Sequence, residues 1–102
     1  MELDRSQFVV SLAGRDRGKL FFVVDIDPVF VYLADGKSRR VESPKKKKRK
    51  HVQFFSLGSD RLREKLETIG KVTNSEIRRA LSPYIEKQTG DAAQAEGGNL
   101  LV

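Results

Sequence analysis

Turn signals cut the first half of this chain into short apolar runs, and that punctuation limits what it can become. Residues 7–12 form a short apolar-rich run ended by Gly14-Arg15-Asp16-Arg17-Gly18, a loop bracketed by glycines. Residues 19–25 and 29–34 follow, dense in Phe, Val, Leu and Tyr, with Asp27-Pro28 at their join. Asp35-Gly36 reads as a tight hairpin turn, because a type I′ turn needs a positive φ that glycine adopts without steric cost. Residues 38–42 are expected to return as a more polar strand, and residues 51–55 to supply the last one. Five short strands joined by tight turns predict a small barrel rather than an open sheet, since closure also hides the sheet's edges.

The second half changes period. Leu62, Leu66 and Ile69 lie on one helical face, in a helix beginning near Ser59 or Asp60 and ending at Gly70. Thr73-Asn74-Ser75-Glu76 is a capping box: the Thr73 hydroxyl can accept from the Glu76 amide while the Glu76 carboxylate accepts from the Thr73 N–H. Ile77, Leu81, Tyr84 and Ile85 form the stripe of a second helix, which Pro83 is expected to kink or restart. Both helices are short enough to be marginal alone in water. They must pack on each other, on the barrel or on a partner. From Gln88 the composition turns to Gly, Ala, Gln and acid, and a disordered tail is predicted. With 102 residues, 38% of them apolar, the chain supports one modest core. The expected organisation is mainly β with an α appendage: a five-stranded barrel over 1–56, a helical hairpin over 57–87 and the tail over 88–102.

Charge is distributed in a way that composition alone hides. Residues 1–42 carry seven basic and seven acidic side chains, and residues 56–102 again seven and seven. The net charge of +6 therefore sits entirely in Lys45, Lys46, Lys47, Lys48, Arg49 and Lys50. Six adjacent cations repel one another strongly, which is tolerable mainly beside a polyanion. Lysines bind phosphate as mobile point charges and Arg49 can engage it bidentately. If the segment is extended, alternate side chains point to opposite sides and only half can face one surface. Arg39 and Arg40, with Arg15, Arg17 and Lys19 of the glycine-bracketed loop, extend the positive face if these loops cluster at one barrel end. Arg17 and Lys19 have an equal alternative, pairing with Asp16 or Asp4. A solvated loop and a nuclear import signal are the other readings of the run.

Several classes of chemistry find little support. The absence of cysteine removes disulfides, thiolate chemistry and Cys-based zinc sites. No apolar run approaches the length of a membrane span, and the first residues lack a secretory pattern, so a cytoplasmic protein is expected. The single histidine, His51, has neither an orienting acceptor nor a cleft in view and reads as structural or RNA-contacting. Asp16, Asp25, Asp27 and Asp35 all fall at turns, where Asx-type bonding accounts for them. No cofactor, metal or catalytic set is expected. Phe8, Phe22, Phe30 and Phe54 are read as core. Tyr32 and Phe55 are expected on the strand faces opposite those core rings and are candidates for base stacking, with packing the competing role.

The run Phe8-Val9-Val10-Ser11-Leu12-Ala13-Gly14-Arg15-Asp16-Arg17-Gly18 resembles a KOW motif, an apolar strand and glycine-bearing loop leading to a second apolar strand from Leu20. Leu33-Ala34-Asp35-Gly36, Arg39-Arg40-Val41-Glu42 and the Pro44-to-His51 stretch are similar to bacterial KOW-domain RNA-binding proteins, which are related to the L14e/L6e/L27e-like group of ribosomal proteins. The resemblance covers roughly residues 6–55 and, more loosely, the start of the second helix. It implies a barrel of the Src-homology-3 type, with Gly14, Arg15, Asp16 and Gly18 as the KOW loop, in a ribosome-associated or otherwise RNA-binding protein. The RNA-facing set is expected to be Arg15, Lys19, Arg39, Arg40, the six cations from Lys45 to Lys50, and His51. The expected partner is RNA, ribosomal RNA above all and with it the large subunit, bound by a monomer. The rival reading is a protein-interaction module whose basic run serves targeting or solubility.

Overall fold

A computed structural model describes residues 2–97, with side chains to residue 85. Five strands form one antiparallel sheet: β1 (Phe8–Ser11), β2 (Leu20–Ile26), β3 (Phe30–Ala34), β4 (Lys45–Lys48) and β5 (Val52–Ser56), in the order β4-β3-β2-β1-β5. Two helices follow, α1 (Asp60–Thr68) and α2 (Asn74–Gly97). In a flat sheet the outermost strands of five would stand roughly 19 Å apart. Only the 3₁₀ turn Arg49–His51 joins β4 to β5, and such a link reaches at most about 14 Å. The sheet must curl. The turn is pinned at both sides of the gap: Arg49 N–H donates to the Val29 carbonyl at 2.9 Å, and Leu12 N–H to the His51 carbonyl at 2.8 Å.

Curling gives the sheet two buried faces. Val9, Phe21, Val23, Val31, Leu33 and Val52 fill its interior. Phe8, Leu20, Phe22 and Ala34 face outward and are covered by Leu62, Leu66, Val72, Ile77 and Leu81 of the helical half. This double burial explains why β2 is apolar at consecutive positions rather than alternating. It also shows what the two helices pack on: they roof the outer face of β1 and β2. Among the expected core rings, Phe8 and Phe22 are fully buried, as is Phe21, whereas Phe30 and Phe54 are only half-buried. Phe30 belongs to the part of the outer face beyond the helical roof.

One expected strand is misplaced. Residues 38–42 form no strand; they belong to a long loop, and the lysine run itself is β4. The Asp35 carboxylate accepts from the amides of Lys37 and Arg39 and from the Ser38 hydroxyl, closing the loop on itself. The Asn74 side chain then takes the Val41 amide at 2.7 Å and donates to Glu42, so this segment is tied to α2 instead of the sheet. Lysine is a poor strand former in general, but β4 is an edge strand, where lysine is favoured because it discourages pairing with another chain.

The helix signals are present as expected. The Ser59 hydroxyl accepts from the Leu62 amide to cap α1. Thr73 and Glu76 exchange the two bonds of the capping box, at 2.9 and 3.2 Å. α2 runs through Pro83 without restarting. The expected disordered tail over 88–102, and the helix end expected at 87, are corrected in part: α2 continues to Gly97, and residues 98–102 lie outside the described residues.

Two contacts fix the helical roof, one to the loop after β3 and one between its helices, and each makes a prediction. Gly36 has φ +78°, and a Cβ there would stand 2.3 Å from the Asn74 carbonyl oxygen. Gly36→Ala is therefore expected to cost about 2–4 kcal/mol, combining left-handed strain with overpacking, measured by urea unfolding. Between the helices, the Lys65 ammonium bonds both Glu76 carboxylate oxygens at 2.7 Å. Those bonds, with the Thr73 amide, hold the Glu76 carboxyl down at about 2. Because the folded value lies below the unfolded one, the stabilisation is complete above about pH 5 and is lost as pH falls through 2. Helicity followed by circular dichroism should decline over that window, and Glu76→Gln should weaken the fold at neutral pH while removing that part of the acid response.

Candidate nucleic-acid interface

Register in the sheet sorts the lysine run. Lys45 pairs with Leu33 and Lys47 with Val31, both interior residues, while Lys46 pairs with Tyr32 and Lys48 with Phe30 on the outer face. Odd members therefore point into the curl and even members out of it. Lys47 is only 8% exposed. Its ammonium donates to the Ala13 carbonyl at 2.6 Å and to Asp16 Oδ1 at 2.9 Å, and Lys45 Nζ lies 3.0 Å from Asp16 Oδ2. Asp16 thus joins the Gly14–Gly18 loop to β4. Burial works against its charge, but hydrogen bonds from Lys47, Ser11 and Lys45 outweigh it and hold the carboxyl well below the usual carboxylate range. Gly14, at φ +85°, keeps the loop close beside Lys47.

The run is thus a folded strand that spends two of its six charges internally, where all six were expected in the RNA-facing set. Asp16 neutralises Lys45 and Lys47; it does not pair with Arg17 or Lys19, which was the bland alternative for those residues. Arg49 also turns inward, its guanidinium donating to the Asp27 carbonyl at 3.1 Å. His51 is half-buried and contributes its carbonyl to the β1 connection. Arg40 pairs with Glu42 at the surface.

Within residues 15–50 this leaves eight exposed cations with no ion pair among the described residues: Arg15, Arg17, Lys19, Lys37, Arg39, Lys46, Lys48 and Lys50. Arg15, Lys19 and Arg39, with Lys45, Ser38 and Asp16, surround an open cleft of about 310 Å³ floored by Phe21. The Gly14–Gly18 loop and the loop between β3 and β4 do meet at one end of the sheet. Lys46 and Lys48 stand on the adjoining outer face, with Lys46 Nζ 4.2 Å above the Phe30 ring.

The two aromatics singled out for stacking divide. Phe55 packs edge-on against Tyr84, with ring centres 5.6 Å apart. Tyr32 is half-buried on the part of the outer face outside the helix-covered cluster, its hydroxyl donating to Asp27 at 2.7 Å. Phe30, read from the sequence as core, stands beside it. Its position two residues away on the same strand was the available signal.

Among the described residues no group of three or more His, Asp or Glu side chains could hold a metal ion, and no helix is long and apolar enough to cross a membrane. Comparison with protein-family models and with curated proteins finds no match for this chain.

Proposed function

We propose that this chain is a non-enzymatic, KOW-type RNA-binding protein of the cytoplasm, associated with ribosomal RNA and binding it as a monomer. The observation that carries the reading is the set of eight unpaired cations, from Arg15 to Lys50, left outward after Asp16 has neutralised the two inward lysines. A fold that merely tolerated the run would have no reason to gather Arg15, Lys19 and Arg39 around one cleft beside it. Phosphate is the matching polyanion, and salt dependence is its signature. With about six phosphates contacted, log K should fall with log[salt] at a slope of roughly −4 to −5. Filter binding of nuclease-treated protein to ribosomal RNA across a salt series measures it, and a flat dependence overturns the proposal.

Exposed Leu57, Ile69 and Ile85 on the helical side favour a second reading, a protein-interaction module. Gradient sedimentation from the native host separates the two. RNase-sensitive comigration with the large ribosomal subunit supports RNA binding, and an RNase-resistant complex supports the module.

A further inference from the structure

The outer face of β3 and β4 carries a pattern that phosphate binding alone leaves unused. Phe30 and Tyr32 occupy alternate positions of β3 and therefore project from the same face, about 7 Å apart along the strand. Directly opposite them on β4 stand Lys48 and Lys46. On the other side, Asp25 of β2 is the cross-strand partner of Tyr32, and Asp27 accepts from the Tyr32 hydroxyl. A β-bulge between Val23 and Asp25 carries the end of β2 past the helical roof. Neither ring belongs to the cluster that the helices cover.

The geometry points to a two-ring stacking platform for single-stranded RNA, with the sugar–phosphate chain running over β4 and two bases lying on Phe30 and Tyr32. This deepens the RNA-binding reading and rests on it. Charge sets the orientation. Lys46 and Lys48 attract phosphates along one border, while Asp25 and Asp27 repel them along the other, so the bases turn toward β3. The spacing of alternate strand residues is close to that of successive phosphates in an extended nucleic-acid strand, so both lysines can be engaged together. Lys46 now rests its ammonium on Phe30. That contact is weak at an exposed site and yields to a phosphate, uncovering the ring. Bases in a duplex are already stacked and cannot reach such rings, so the platform selects unpaired RNA.

The protein has two tyrosines and no tryptophan, which makes tyrosine emission a direct reporter of stacking. Tyr84 is held between Phe8 and Phe55, leaving Tyr32 to respond to bound bases. The full chain is titrated with a short single-stranded oligoadenylate and with duplex RNA of equal length, at low salt. The single strand should quench tyrosine emission and bind more tightly than the duplex. Tyr32→Phe keeps the ring, so affinity should stay within about twofold while the quenching disappears. Phe30→Leu with Tyr32→Leu should weaken single-strand binding by roughly tenfold or more without altering the salt slope. If RNA binds but tyrosine emission is unchanged, or quenching survives in Tyr32→Phe, the platform is refuted while the basic-surface reading stands. If the wild-type chain binds neither RNA, that reading falls and the platform with it.

Discussion

Asp16→Ala is expected to be among the most damaging single substitutions in this fold, lowering stability by about 3–5 kcal/mol. Among the described residues, the carboxylate it removes is the only acidic partner of Lys47 and Lys45, and Lys47 is buried. Attraction between such charges is largely offset by the cost of taking them out of water, so the intact group adds little net stability. Removing one side is different, because a buried ammonium is left with the Ala13 carbonyl alone. Ser11 Oγ also loses its bond to Asp16 at 2.7 Å. For a domain of this size the loss corresponds to a fall in melting temperature of about 15 °C or more. The mechanism makes a second demand. Combining Asp16→Ala with Lys47→Met removes the stranded charge while keeping a long apolar stem, and should recover about half of the lost stability. A melting temperature for Asp16→Ala within about 3 °C of wild type would refute this account of the loop.

That role could not be seen in the sequence, for a definable reason. Asp16 sits between glycines, where a turn-forming role is sufficient explanation, and its partners lie 29 and 31 residues away. The lysine run is opaque in another way. Periodicity reveals a strand only when residue types alternate, and four identical lysines carry no alternation to read. Their inward and outward facing is set by Val31 and Leu33 across the ladder. β3 hides its faces similarly, being apolar throughout, so Phe30 passes for core until the helical roof is seen to stop short of it. Other elements were legible because their chemistry is local. The capping box at Thr73 and Glu76, the Ser59 cap and the glycine-bracketed loop each depend on neighbours within five residues. Asp35-Gly36 shows the limit of such signals. Gly36 does take a positive φ, but Asp35 does not, so the expected type I′ hairpin is absent and a loop tethered by Asn74 follows rather than the returning strand.

The facing of the lysines yields the second large effect, a separation of function from stability along adjacent positions. Lys46, Lys48 and Lys50 are exposed and have no ion pair among the described residues. Replacing all three with glutamine should leave the melting temperature nearly unchanged, since surface substitutions away from caps and networks are close to neutral. The same variant should flatten the salt slope of RNA binding by about 2 to 3, as three phosphate contacts are lost. Lys47→Met should do the reverse. Its ammonium is buried against Asp16 and the Ala13 carbonyl, so the slope should stay within about half a unit, while Asp16, left with Lys45 and Ser11, loses its buried partner and stability falls by about 2–4 kcal/mol. Thermal melts and salt-series binding on the two variants measure both quantities at once. Equal losses of RNA affinity from the outward triple variant and from Lys47→Met, with both folds intact, would mean that β4 does not alternate as its register requires and that the run meets phosphate as a free arm.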